Sequence, residues 1–160
     1  MFFNYLFLLL NLVLGVPLSS AGEVSDIALY AYSGYDEING LGIYNIHEGA
    51  GINYLFLGQS AATLFYNKST DVIFQKLTDK YNQYLAIAGG IVELAVYQPD
   101  VKFTVVKGNL AADGSADGFY ACKNTGDPYG YSKNQYQVLY NRSGSPAYDS
   151  CKPISIGVKY

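Results

Sequence analysis

The sequence predicts an all-β domain, an antiparallel sandwich or a closed barrel, from three observations. Short apolar runs recur at about 8–12-residue spacing with turn-forming residues between them. The 160-residue chain carries 17 Tyr, which favours pleated surfaces, and 17 Gly, which favours turns. No segment keeps apolar residues at i, i+3, i+4 and i+7 over three turns, so the helical period is missing. A β-trefoil of similar length is the alternative, and the sequence shows no threefold repeat to support it.

The first element is an address. Residues 1–21 contain no Asp, Glu, Lys or Arg, and Leu6 to Leu18 is almost wholly apolar. Small residues at Ser19 and Ala21 place a signal-peptidase cut after Ala21. The apolar run of about 13 residues is short of the roughly 20 needed to span a bilayer. The expected mature product is a single secreted β domain, 22–160, with no membrane segment after cleavage.

Asp26 to Tyr32 is the first expected strand, and Ile52 to Leu57, closed by Gly58, the next. Between them, Asp36 to Gly51 carries four glycines and little pattern, and reads as a long loop. Ala62 to Tyr66 and Val72 to Leu77 flank Asn67-Lys68-Ser69-Thr70, a four-residue hairpin connection. Tyr84 to Ala88 and Ile91 to Tyr97 flank Gly89-Gly90, which suits a tight turn with positive φ. Gln75 to Tyr84 is the one stretch with some helical character. Val101 to Val106, Gly118 to Cys122, Gln135 to Tyr140 and Ile154 to Val158 complete the strands. Asp113 to Gly118 and Lys123 to Ser132 read as loops.

Composition excludes several functions. Only 14% of residues are charged, and 13 acids against 10 bases give a net charge of -3, so a nucleic-acid partner is not expected. High aromatic content and low charge exclude a disordered tail. Two cysteines are too few for a structural zinc site. In an exported chain, Cys122 and Cys151 suggest one disulfide. It closes a loop of about 30 residues, worth roughly 3–4 kcal/mol by loop entropy. Asn67-Lys68-Ser69 and Asn141-Arg142-Ser143 are N-glycosylation acceptors beside turn residues. The chain ends in a short strand-like segment, Pro153 to Tyr160, rather than the apolar tail of a lipid-anchor signal.

Catalytic chemistry has few candidates. His47 is the only histidine, no Gly-x-Ser-x-Gly elbow is present, and a local hydrogen-bonding role for His47 is expected. Asp36 and Glu37 are adjacent and would diverge on an extended chain. Glu48, Glu93, Asp100 and Asp127 are scattered, so a paired-carboxylate glycosidase is not indicated. Asp113 and Asp117 are too few for a calcium loop. No metal or other cofactor is expected. Tyr129 and Tyr131 lie in a loop-like stretch and are candidates to stack on sugar rings. The other tyrosines read first as sheet packing.

Three stretches carry a family resemblance: Ile46-His47-Glu48-Gly49-Ala50-Gly51-Ile52-Asn53-Tyr54; Phe119-Tyr120-Ala121-Cys122-Lys123-Asn124 with Asp127-Pro128-Tyr129; and Cys151-Lys152-Pro153-Ile154. Together they resemble the small secreted and GPI-anchored cell-wall proteins of Candida-type yeasts. The Phe-Tyr-Ala-Cys and Cys-x-Pro-Ile segments are also similar to fungal cell-wall proteins of the phialide type. The resemblance implies a non-enzymatic wall mannoprotein acting in wall organisation, adhesion or host contact. It implies no catalytic residues, supports pairing Cys122 with Cys151, and points to wall polysaccharide or wall mannoproteins as partners. A carbohydrate-binding, lectin-like module is the alternative function, and a secreted hydrolase a more distant one.

Overall fold

A computed structural model describes residues 23–160. The expected signal segment lies outside the described residues. Thirteen strands form one antiparallel sheet: β1 Val24–Tyr32, β2 Gly42–His47, β3 Ile52–Gly58, β4 Thr63–Asn67, β5 Val72–Lys76, β6 Asn82–Ala88, β7 Ile91–Ala95, β8 Phe103–Val106, β9 Asn109–Ala112, β10 Phe119–Cys122, β11 Gln137–Tyr140, β12 Lys152–Pro153 and β13 Ser155–Lys159. One 3₁₀ turn, Tyr131–Lys133, precedes β11.

The sheet closes on itself. Neighbouring strands run β1-β4-β5-β6-β7-β3, and β2 pairs with both β3 and β1 to complete the ring. Closure gives every strand of the ring a neighbour on both sides, leaving β8 and β12 as the outer strands of two extensions. The pairing order has no threefold repetition, so the barrel expectation holds over the trefoil. Ala28 of β1 faces Thr63 of β4 on one edge and Lys159 of β13 on the other. From β13 the sheet continues through β9 to β8. β11 plays the matching part elsewhere. It meets β3 at Gln137↔Phe56 and β7 at Leu139↔Ile91, while its other edge carries β10 and then β12.

Alternation builds the core. Ile27, Leu29 and Ala31 of β1 point inward with Leu64 and Tyr66, Ile73, Leu85, Val92 and Leu94, all buried in one continuous cluster. Phe103, Leu110, Phe119, Val138 and Ile156 join it from the second half of the chain.

Two sequence expectations are corrected. Asp36–Gly51 is not a long loop: it contains β2, paired residue for residue with β3 from Gly42↔Gly58 to His47↔Asn53. Its glycines have separate reasons. Gly49 and Gly51 have φ of 97° and 75° in the β2–β3 turn. Gly42 lies within the strand because the backbone of Ala61 passes so close that a Cβ would fall 2.3 Å from its nitrogen. Gln75–Tyr84 is not helical either. β5 and β6 pair through Gln75↔Gln83, and a turn joins them in which Thr78 Oγ1 accepts from the N–H groups of Lys80 and Tyr81. Cross-strand pairing overrides a weak local preference here. The Gly89-Gly90 turn matches expectation, with φ of 57° and 86° at its two central residues. β9, closing a hairpin with β8, has no counterpart in the sequence reading.

Candidate functional site

β10 reads Phe-Tyr-Ala-Cys. Strand alternation sends Phe119 and Ala121 into the main core and Tyr120 and Cys122 to the opposite face. On β11 the same rule puts Val138 inward and Leu139 outward. Tyr120, Cys122 and Leu139 are nonetheless buried, in a second small cluster with Ile91 and Cys151 against it. An outer face this apolar requires a cover, and residues 143–151 supply it. Tyr120 Oη donates to the Gly144 carbonyl at 2.7 Å, Tyr148 Oη donates to the Thr125 carbonyl at 2.9 Å, and Cys151 is disulfide-bonded to Cys122.

The cover is incomplete, and a groove of about 480 Å³ remains. Its size falls within the usual range of small-ligand sites, about 300–1,000 Å³. Ile87, Ile91 and Leu139 are apolar lining residues; Tyr54, Tyr120, Tyr140 and Tyr148 add rings. Thr125, Asp127, Gln137, Asn141 and Arg142 add polar groups. Gln137 is buried and accepts a hydrogen bond from the Thr125 hydroxyl through Oε1.

Beside the groove stands a pair of buried carboxyl groups. Asp127 accepts from the backbone N–H groups of Tyr131 at 2.6 Å and Ser132 at 3.0 Å. Glu48 Oε2 accepts from the Tyr129 N–H at 3.1 Å, which leaves Oε1 buried without a donor. Burial first, and hydrogen bonding to Asp127 second, raise the Glu48 pKa. For Asp127 burial pushes upward, but bonds from Ser132, Glu48 and Tyr131 outweigh it and hold the group below the usual carboxylate range. Sequence reading treated these acids as scattered, and the fold brings Glu48 and Asp127 together. Glu93 is also buried, its pKa raised by burial, and it accepts from the Tyr97 hydroxyl at 2.7 Å. Asp36 and Asp100 remain exposed. Among the described residues, no three His, Cys, Asp or Glu side chains group to hold a metal ion.

His47 ends β2 rather than lying in a loop. Its Nδ1 is 3.2 Å from Asn53 Oδ1, within an amide network that runs through Asn53 to Asn45 and Gln83. Tyr129 and Tyr131 do lie together, with ring centroids 6.3 Å apart, but at 71° they meet edge to face. Tyr131 also packs edge-on to Phe56. Tyr129 borders a separate hollow formed by residues 124–133. Both acceptor asparagines sit in tight turns: Asn67 Oδ1 accepts from the Ser69 N–H and hydroxyl, and Asn141 Oδ1 from those of Ser143. Asn141 is also on the groove wall. Sequence reasoning missed the groove tyrosines Tyr120, Tyr140 and Tyr148. The available signal was a strand, Phe119 to Cys122, with apolar residues on both faces.

Fold and groove define a class of small antiparallel β domain that carries an aromatic cleft walled by a disulfide-tied segment. The chain belongs to the family described as "Domain of unknown function (DUF7907)", which matches residues 28–160. Among its relatives are three Candida albicans proteins. It is 34% identical to cell wall protein RHD3 over 92% of this chain and 72% of that protein. It is 36% identical to cell wall protein PGA30 and 35% to cell wall protein PGA31. Those matches cover 81% and 79% of this chain but only 48% and 45% of the relatives, so the chain spans about half their length. No solved structure matches it.

Proposed function

We propose that this chain is a non-enzymatic glycoprotein of a fungal cell wall, a rigid coat element that organises the wall surface. Kinship with three Candida albicans cell wall proteins carries this reading. In it, residues 1–21 are a signal cleaved after Ala21, residues 22–160 are the secreted domain, and Asn67 and Asn141 bear N-glycans. The side chains that a hydrolase would recruit have structural employment, which supports the non-catalytic reading. His47 belongs to an amide network, and Glu48 and Asp127 fasten the 127–132 segment. Fractionation of cells making the tagged protein tests the proposal. The expected product is in the wall fraction, begins at Gly22, loses mass on enzymatic deglycosylation and has no free thiol. A cytosolic product that keeps Met1 refutes it.

A second reading, sugar binding, is favoured by the groove. Pinned tyrosine rings beside Leu139 and buried polar groups suit the two-sided chemistry of a sugar, with apolar C–H faces and a hydroxyl rim. Tyr129 and Tyr131 are secondary to it, because their edge-to-face geometry offers no shared flat platform. Adhesion through wall polysaccharide or wall mannoproteins would follow from such a groove.

A further inference from the structure

We propose that the β10–β11 groove holds the N-glycan of the same chain, with the first sugars attached to Asn141 laid across Leu139 and the ring of Tyr148. The inference rests on the reading that Asn141 is glycosylated. Three observations carry it. Asn141 and Arg142, both in the acceptor triplet, line the groove. The Asn141 side-chain amide already points along the groove's covering segment, donating from Nδ2 to the Ser145 carbonyl at 2.6 Å. A glycosylated amide nitrogen keeps one hydrogen, so it retains the capacity to donate one bond to this segment. The groove is also chemically suited: an N-acetyl methyl and ring C–H groups meet Ile87, Ile91 and Leu139, and hydroxyls meet Asp127, Gln137 and Thr125. Asp127 and Gln137 are buried polar groups.

Tethering favours this occupant over a free polysaccharide. A sugar fixed at the rim has an effective concentration on the order of millimolar, so even weak contacts keep it docked. The hydroxyls of Tyr120 and Tyr148 hold the segment that bears the groove wall, so the site is formed before the sugar arrives. The other acceptor, Asn67, does not line the groove and serves as an internal control.

The test uses the full chain secreted from a yeast host. Intact mass first establishes occupancy at Asn141; if that site is empty, the glycosylation reading fails and this inference falls with it. With Asn141 occupied, methyl NMR compares the glycoprotein with the N141Q variant. Ile87, Ile91 and Leu139 methyl signals are expected to shift, whereas N67Q leaves them unchanged. Native deglycosylation by an N-glycan amidase should be at least about tenfold faster at Asn141 in Y148A than in the parent, equivalent to about 1.4 kcal/mol of lost docking, with the rate at Asn67 unmoved. Methyl signals identical in glycoprotein and N141Q overturn the inference even if Y148A does not fold. If, in addition, a β-glucan or mannan oligosaccharide shifts those methyls in N141Q, the groove serves a free wall glycan instead.

Discussion

Glu48 and Asp127 set a pH window. A group whose pKa is raised by folding stabilises the fold below its unfolded value, and the effect is lost as pH rises through the folded value. That is Glu48. Asp127 has the opposite sign: its stabilisation is present above the unfolded value and lost as pH falls through its lowered one. The pair is therefore most stabilising in mild acid, between the two. The thermal midpoint of the protein should fall as pH rises from about 4.5 to 8. E48Q should flatten that slope, since a neutral amide has no proton to lose in that range and still accepts from the Tyr129 N–H. Calorimetry across that range decides it, and an unchanged slope in E48Q would show that Glu48 does not set it. Gly42 makes a second single-residue prediction. G42A forces a Cβ against the Ala61 backbone, and should cost about 1–3 kcal/mol in chemical denaturation.

At the scale of elements, β10 and β11 are the most consequential pair because both of their faces are covered. Phe119 is fully buried and its ring lies 5.0 Å from that of Tyr140. F119A should lose about 3–5 kcal/mol. Replacing both cysteines by serine should cost roughly 3–4 kcal/mol. It should also free residues 143–150 to exchange amide hydrogens faster than β10 does, as mass spectrometry would show. Hairpins with their turns in one short window, such as β6–β7 around Gly89-Gly90, were legible in the sequence. β2 was hidden because Gly42 looks like a loop residue until Ala61, a distant neighbour in sequence, is placed beside it. The groove was hidden for the same reason: Tyr120 and Cys122 find their partners at Gly144 and Cys151, and no local pattern announces a contact over that separation. Glu48 and Asp127 likewise meet across 79 positions.

For the whole molecule, the defining contact is between the first and last described strands. β13 pairs with β1 from Ala28↔Lys159 to Tyr32↔Ser155, and Ile156 is fully buried. Closing so long a loop before the pairing rewards it makes folding slow, and the fold depends on its last residues. A chain ending at Ile154 should not reach the native state: it should lack a cooperative thermal transition and be retained during secretion. A normal melting curve for that truncation would contradict the β1–β13 pairing as a requirement of the fold.

The same pairing brings the first and last described residues close together. Lys68 Nζ is 3.9 Å from a Glu23 carboxylate oxygen and 5.0 Å from the centre of the Tyr160 ring. A brief linker could therefore join Tyr160 to Glu23, and new ends could be opened in the Asp113–Gly118 loop without disturbing the barrel wall. For the same reason, polypeptide joined directly to Glu23 or to Tyr160 leaves from a single pole. A pair of fluorophores placed at Glu23 and Tyr160 would report one short distance, and that distance would lengthen only when β1 and β13 part.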